Sequence, residues 1–101
     1  MAERQPVEIM LFAGTFESQP LAFAHLYDIG PSLDLGEIEV ICKEDPARRL
    51  SHYFAKEQVE LIVDTLGLHT SVILAFPEAG PVPASSLLFP LGRFTGTRIR
   101  A

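Results

Sequence analysis

Glu37 and Glu39, with Glu44 and Asp45 just beyond, are the densest carboxylate run in the chain. Paired carboxylates do acid–base chemistry when one of them is buried and holds its proton. Here they fall in EIEVIC (37–42), where Glu37 and Glu39 alternate with Ile38 and Val40. A strand turns both acids to its water face, so they read as a charged patch and a guard against edge pairing. Nucleophilic chemistry has two candidates, Cys42 and the Ser51-His52 pair. Adjacent helical residues point about 100° apart, so Ser51 and His52 form no dyad. Cys42 is either a small buried thiol or, in a second reading, part of an enzyme or ligand pocket with His52 and Tyr53. That pocket would lie between the helices and the proline-rich loop 77–85. His25, His52 and His69 form no HExxH and no i,i+4 pair, and Cys42 has no CxxC partner. Zinc takes three or four convergent ligands, so neither a metal nor a cofactor is expected.

MLFAGTFESQP (10–20) has the outline of a phosphate loop: apolar strand, glycine turn, helix start. The phosphate motifs need GxxxxGK[ST] or GxGxxG. Gly14 stands alone, no lysine or arginine lies between Arg4 and Lys43, and Glu8 and Glu17 repel anions. The stretch reads instead as a corner, with Gly14 at positive φ, Phe16 in the core and Ser18 capping a helix.

These side chains need elements to position them. VEIMLFA (7–13) is a nearly unbroken apolar run, as in a strand covered on both faces. Ser18 with Pro20 starts a helix over 19–28, whose stripe is Leu21, Phe23, Ala24, Leu26 and Tyr27. A loop (29–36) leads to the strand 37–42, near a sheet edge. Asp45 and Pro46 start a second helix, 47–66, with a possible break near 55–57 where the apolar stripe shifts, and Gly67 stops it. TSVILAF (70–76) is a second buried strand. After the loop 77–85 comes a last strand, 86–94, with Pro90 inside it, which favours an edge or a bulge. The order β-α-β-α-β-β describes an α+β domain over residues 1–101: a small, largely antiparallel or mixed sheet with two helices packed on one face. Residues 1–5 are expected as a short flexible N-terminus and 95–101 as a basic C-terminal tail.

At 48% apolar and 21% charged, the chain is globular rather than disordered. Its single cysteine suits a reducing compartment, and it has no signal-peptide pattern or membrane-length apolar run, so a cytoplasmic protein is expected. The net charge of −5 is uneven: residues 1–45 hold nine acids and two bases, and residues 46–101 hold four acids and six bases. Nucleic-acid binding needs the opposite excess. An acidic half attracts a basic protein surface. A third reading is a structural module that self-associates through the edge strands 37–42 or 86–94.

Several short islands over residues 7–96 bear on family. They are the apolar strand into Gly14-Thr15-Phe16-x-Ser18, the helix with Phe23 and Tyr27, Phe54-Ala55-Lys56, SVILAF (71–76), and Leu91-Gly92-x-Phe94. On these the chain resembles the immunity protein 22 family, small bacterial proteins of polymorphic toxin systems, with Gly14, Phe16, Ser18 and Gly92 as its structural motif. The resemblance implies a non-catalytic protein that neutralises a cognate toxin domain by binding it. A basic, nuclease-type toxin fits the charge, and the expected contact face is Asp34, Glu37, Glu39, Glu44 and Asp45, with Asp28 and Glu17 at its rim.

Overall fold

The computed structural model describes residues 3–100. Four strands form one antiparallel sheet in the order β2-β3-β1-β4. They are β1 (Glu3–Gly14), β2 (Ile38–Cys42), β3 (Ser71–Ala75) and β4 (Phe89–Arg100). Helix α1 (Gln19–Ile29) joins β1 to β2, and α2 (Pro46–Leu50) with α3 (Lys56–Leu66) joins β2 to β3. Single 3-10 turns stand at Leu35–Glu37 and Pro77–Ala79. This is a small α+β fold.

The helix starts follow their sequence signals. Ser18 Oγ accepts from the Leu21 amide with Pro20 in the first turn, and Asp45 accepts from the Ala47 amide ahead of α2. Capping satisfies amides that have no partner inside the helix. The long second helix breaks at Leu50. Ser51 Oγ donates back to the carbonyls of Ala47 and Arg48, and a turn separates α2 from α3. A hydroxyl bonding to the preceding turn offers the backbone an alternative to helix. Gln58 Oε1 then accepts from the Ala55 amide at the start of α3.

The sheet is covered on both faces, which corrects the expectation of two helices on one. Ile9, Leu11, Ala13, Ile41, Val72 and Leu74 pack against Leu50, Phe54, Val59, Ile62 and Leu66 of the α2–α3 layer. The alternate residues Phe12, Ile38, Val40, Ile73 and Ala75 pack against Ala22 and Leu26 of α1 and against Phe16. Strand side chains alternate between faces, so a strand buried throughout, as β3 is, needs cover on both.

The chain ends also differ from expectation. Residues 3–5 and 95–100 are not a flexible start and a tail but the paired ends of β1 and β4, from Glu3 opposite Arg100 inward. Residues 1, 2 and 101, the rest of those two segments, lie outside the described residues. Pro90 does sit on an edge strand and beside a bulge: Leu11 pairs with Gly92 and Phe12 with Pro90, which leaves Leu91 extra. Gly92 holds φ +122 there, a conformation that favours glycine.

Candidate functional site

In the Gly14–Ser18 corner Phe16 enters the core and Ser18 caps α1 as expected, but Gly14 is needed for a different reason. Gly14 does not take a positive φ. A Cβ there would fall 2.6 Å from the Phe16 ring, so close approach is what requires glycine. Phe16 is buried under α1, and its backbone closes a ring of three hydrogen bonds. The Phe16 amide donates to Ser71 Oγ (3.3 Å), Ser71 Oγ to Cys42 Sγ (3.6 Å), and Cys42 Sγ to the Phe16 carbonyl (3.3 Å).

That ring places Cys42 on the α1 face, packed against Phe16 and its neighbours. His52 lies in the α2–α3 turn on the opposite face. The Cys42–His52 pair of the enzyme reading is therefore separated by the sheet. His25 Nε2 meets Ser85 Oγ at 2.6 Å, and His69 Nδ1 lies 3.4 Å from Thr15 Oγ1. Among the described residues no three His, Cys, Asp or Glu side chains converge as a metal site, and no helix is long and apolar enough to cross a membrane.

The five acids of 34–45 run along the β2 side of the sheet, and each has an internal partner. Asp34 Oδ1 accepts from the Gly36 amide (3.0 Å) and Asp45 Oδ1 from the Ala47 amide (3.0 Å). Glu37 Oε2 pairs with Arg98 (2.7 Å) and Glu44 Oε1 with Arg49 (3.1 Å). Glu39 uses both oxygens, Oε1 on Arg49 and Oε2 on the Tyr53 hydroxyl. Glu37 and Glu39 are thus half-buried anchors rather than a bare water-facing pair. At the expected rim, Asp28 is exposed and Glu17 lies 3.8 Å from Lys43.

Around these anchors a two-lobed cleft opens. The first lobe, about 340 Å³, is walled by Gln19, Phe23, Glu37, Glu39, Tyr53, Phe76 and Arg98. The second, about 460 Å³, is walled by Arg4, His52, Tyr53 and Arg98. Tyr53 and Arg98 line both, and both are held firmly. The Arg98 guanidinium lies 4.1 Å from the centre of the Phe76 ring, a cation–π contact, and the Tyr53 ring meets Phe76 edge-on at 5.4 Å. Arg4 Nη1 donates at 2.8 Å to both Thr97 Oγ1 and the His52 carbonyl.

Sequence reasoning found the carboxylates and named Tyr53 but missed Arg4, Arg49, Phe76 and Arg98. One signal was present: Thr95, Thr97 and Ile99 are β-branched at every second position, a strand pattern that would have aligned Arg98 with the sheet.

A separate groove of about 380 Å³ does lie at the proline-rich loop, walled by Met10, Phe12, Pro77, Pro81 and Val82, with Glu8 and Arg93 3.9 Å apart on its rim. Cys42, His52 and Tyr53 are not among its walls. Compared with family profiles, curated proteins and solved structures, the chain matches none of them.

Proposed function

We propose that this protein is a non-catalytic binding protein that captures a basic protein partner, in the manner of an immunity protein neutralising a nuclease-type toxin domain. The observation that carries this reading is the fixed acidic edge. Five carboxylates between Asp34 and Asp45 are set along one side of the sheet by helix caps and arginines, and four of them are engaged through a single oxygen. A carboxylate already held in place loses little freedom when a partner's lysine or arginine docks on its second oxygen. An acidic array over a cationic cleft gives fast, selective association. Cys42 packs on the α1 face and the turn that carries His52 packs on the other, which favours the binding reading over an enzyme built on that pair.

The test is binding to a cationic nuclease-type toxin domain, followed by calorimetry at several salt concentrations. Retention should weaken steadily with salt. The double variant Glu17→Lys/Glu44→Lys changes exposed acids without removing a helix cap or a Glu39 contact. It should bind about tenfold or more weakly at unchanged thermal stability, given the coupling energies of close interfacial charges. Salt-independent affinity rules the acidic edge out as the contact face, and full affinity in that variant removes Glu17 and Glu44 from it.

A further inference from the structure

We propose that the second lobe of the cleft, between the β1–β4 ribbon and the α2–α3 turn, binds the carboxylate of a small organic acid, with Arg4 and Arg98 as the residues that hold it. This inference stands apart from the protein-binding reading, since it concerns a cationic recess and not the acidic edge.

Three observations converge. The first is composition. In a chain of net charge −5, the described residues that wall this recess are two guanidiniums, an imidazole and a phenol, with no carboxylate among them. Holding the ribbon against the turn explains each arginine singly. It does not explain bringing both to the same recess, where Glu37 offsets only one of the two charges.

The second is remaining donor capacity. Arg98 spends Nη1 on Glu37, and Arg4 spends Nη1 on Thr97 and the His52 carbonyl. Among the described residues, Nε and Nη2 of each guanidinium make no other hydrogen bond. Those two nitrogens form the flat edge that pairs bidentately with a planar carboxylate.

The third is rigidity. Arg98 is fixed by stacking on Phe76 and by Glu37, and Arg4 by Thr97. Tyr53 is fixed by Glu39, by Phe76 and by its own carbonyl, which accepts from the Thr97 amide at 2.7 Å. Donors held in place before the ligand arrives do not have to be ordered by it.

Charge balance sets the class of anion. Among the described residues, Arg4 and Arg98 contribute two positive charges and Glu37, bonded to Arg98, offsets one, so they match a monoanion better than a phosphate dianion. A recess of about 460 Å³ has the scale of a small-molecule site rather than of a single ion.

The experiment is an amide and arginine-side-chain NMR titration of the full chain with acetate, lactate and inorganic phosphate, each at one ionic strength maintained with chloride. The proposal expects saturable shifts confined to Arg4, His52, Tyr53, Thr97 and Arg98, with lactate and acetate both tighter than phosphate. Arg4→Gln should weaken binding at least tenfold, and Arg4→Lys, which keeps the charge but loses the fork, several-fold. If Arg4→Gln does not fold, Arg4→Lys decides. Diffuse shifts that never saturate, tighter binding of phosphate, or unchanged affinity in the arginine variants would each overturn the assignment.

Discussion

Glu39 does the work of two anchors: one oxygen on Arg49 of α2, the other on the hydroxyl of Tyr53 in the α2–α3 turn. Its side chain is only 18% exposed, whereas that of Glu44, which meets the same arginine, is 40% exposed. The same chemical change therefore has different consequences at the two positions. Glu39→Gln should cost about 1–2 kcal/mol, the range for a charge-assisted hydrogen bond weakened in a half-buried site. Glu44→Gln should stay within about 0.5 kcal/mol, as exposed pairs do. Urea unfolding of both variants measures the difference, and equal losses would contradict the anchor role. The carboxylates were legible in the sequence because their spacing is local. Asp45's role as a helix cap was legible too, but the distant partners were not: Arg98 is 61 positions from Glu37, and no periodicity links residues that far apart. Gly14 shows the same limit, since the ring it makes room for is visible only once Phe16 has folded back.

At the scale of elements, β4 and its cover explain how the sheet handles its edges. The Thr97 amide donates to the Tyr53 carbonyl (2.7 Å), and Gln58 Nε2 donates to the Thr95 carbonyl (2.8 Å), so the turn and α3 occupy outward-facing groups of this edge strand. On the opposite edge Gln19 Nε2 donates to the Val40 carbonyl (2.6 Å). Each such bond takes up a group that strand pairing would otherwise use. The seat for the turn is Gly96. A Cβ at this position would lie 2.7 Å from the Tyr53 carbonyl oxygen and 2.9 Å from the Phe54 ring. Gly96→Ala should thus cost about 1–3 kcal/mol, the usual range for overpacking, read as a lower urea midpoint. Retained stability would mean that the turn is free to move off the strand. The strands β1 and β3 were legible from their apolar runs, 7–13 broken only by Glu8, which call for cover on both faces. The side taken by α1 was not, because its apolar residues Leu21 and Tyr27 point to solvent and its stripe does not single out one face.

Across the whole molecule, the β1–β4 ribbon ties the ends of the chain to both helical connections. Residues 95–100 pair along β1, receive Phe54 and Tyr53 from the turn, and reach Glu37 through Arg98. Deleting 95–101 should accordingly cost on the order of 3–5 kcal/mol, at about 1 kcal/mol for each hydrogen bond or ion pair lost plus the uncovered apolar surface. Domains of this size have about 5–15 kcal/mol in all, so the truncated chain should unfold at markedly lower denaturant, as followed by circular dichroism. An unchanged midpoint would restore the expectation of a dispensable tail. That expectation came from reading Arg98 and Arg100 as a basic tail, when their alternation with β-branched residues was the stronger signal.

The pairing of Glu3 with Arg100 has a practical side. Two residues opposite each other in an antiparallel ladder have Cα atoms about 5 Å apart, so anything fused beyond either end emerges from one corner. That corner is where Arg4 and Arg98 line their recess. A purification handle or fluorescent label is therefore better kept off both termini in the binding titration. A label carried on the 83–86 loop would leave the recess open.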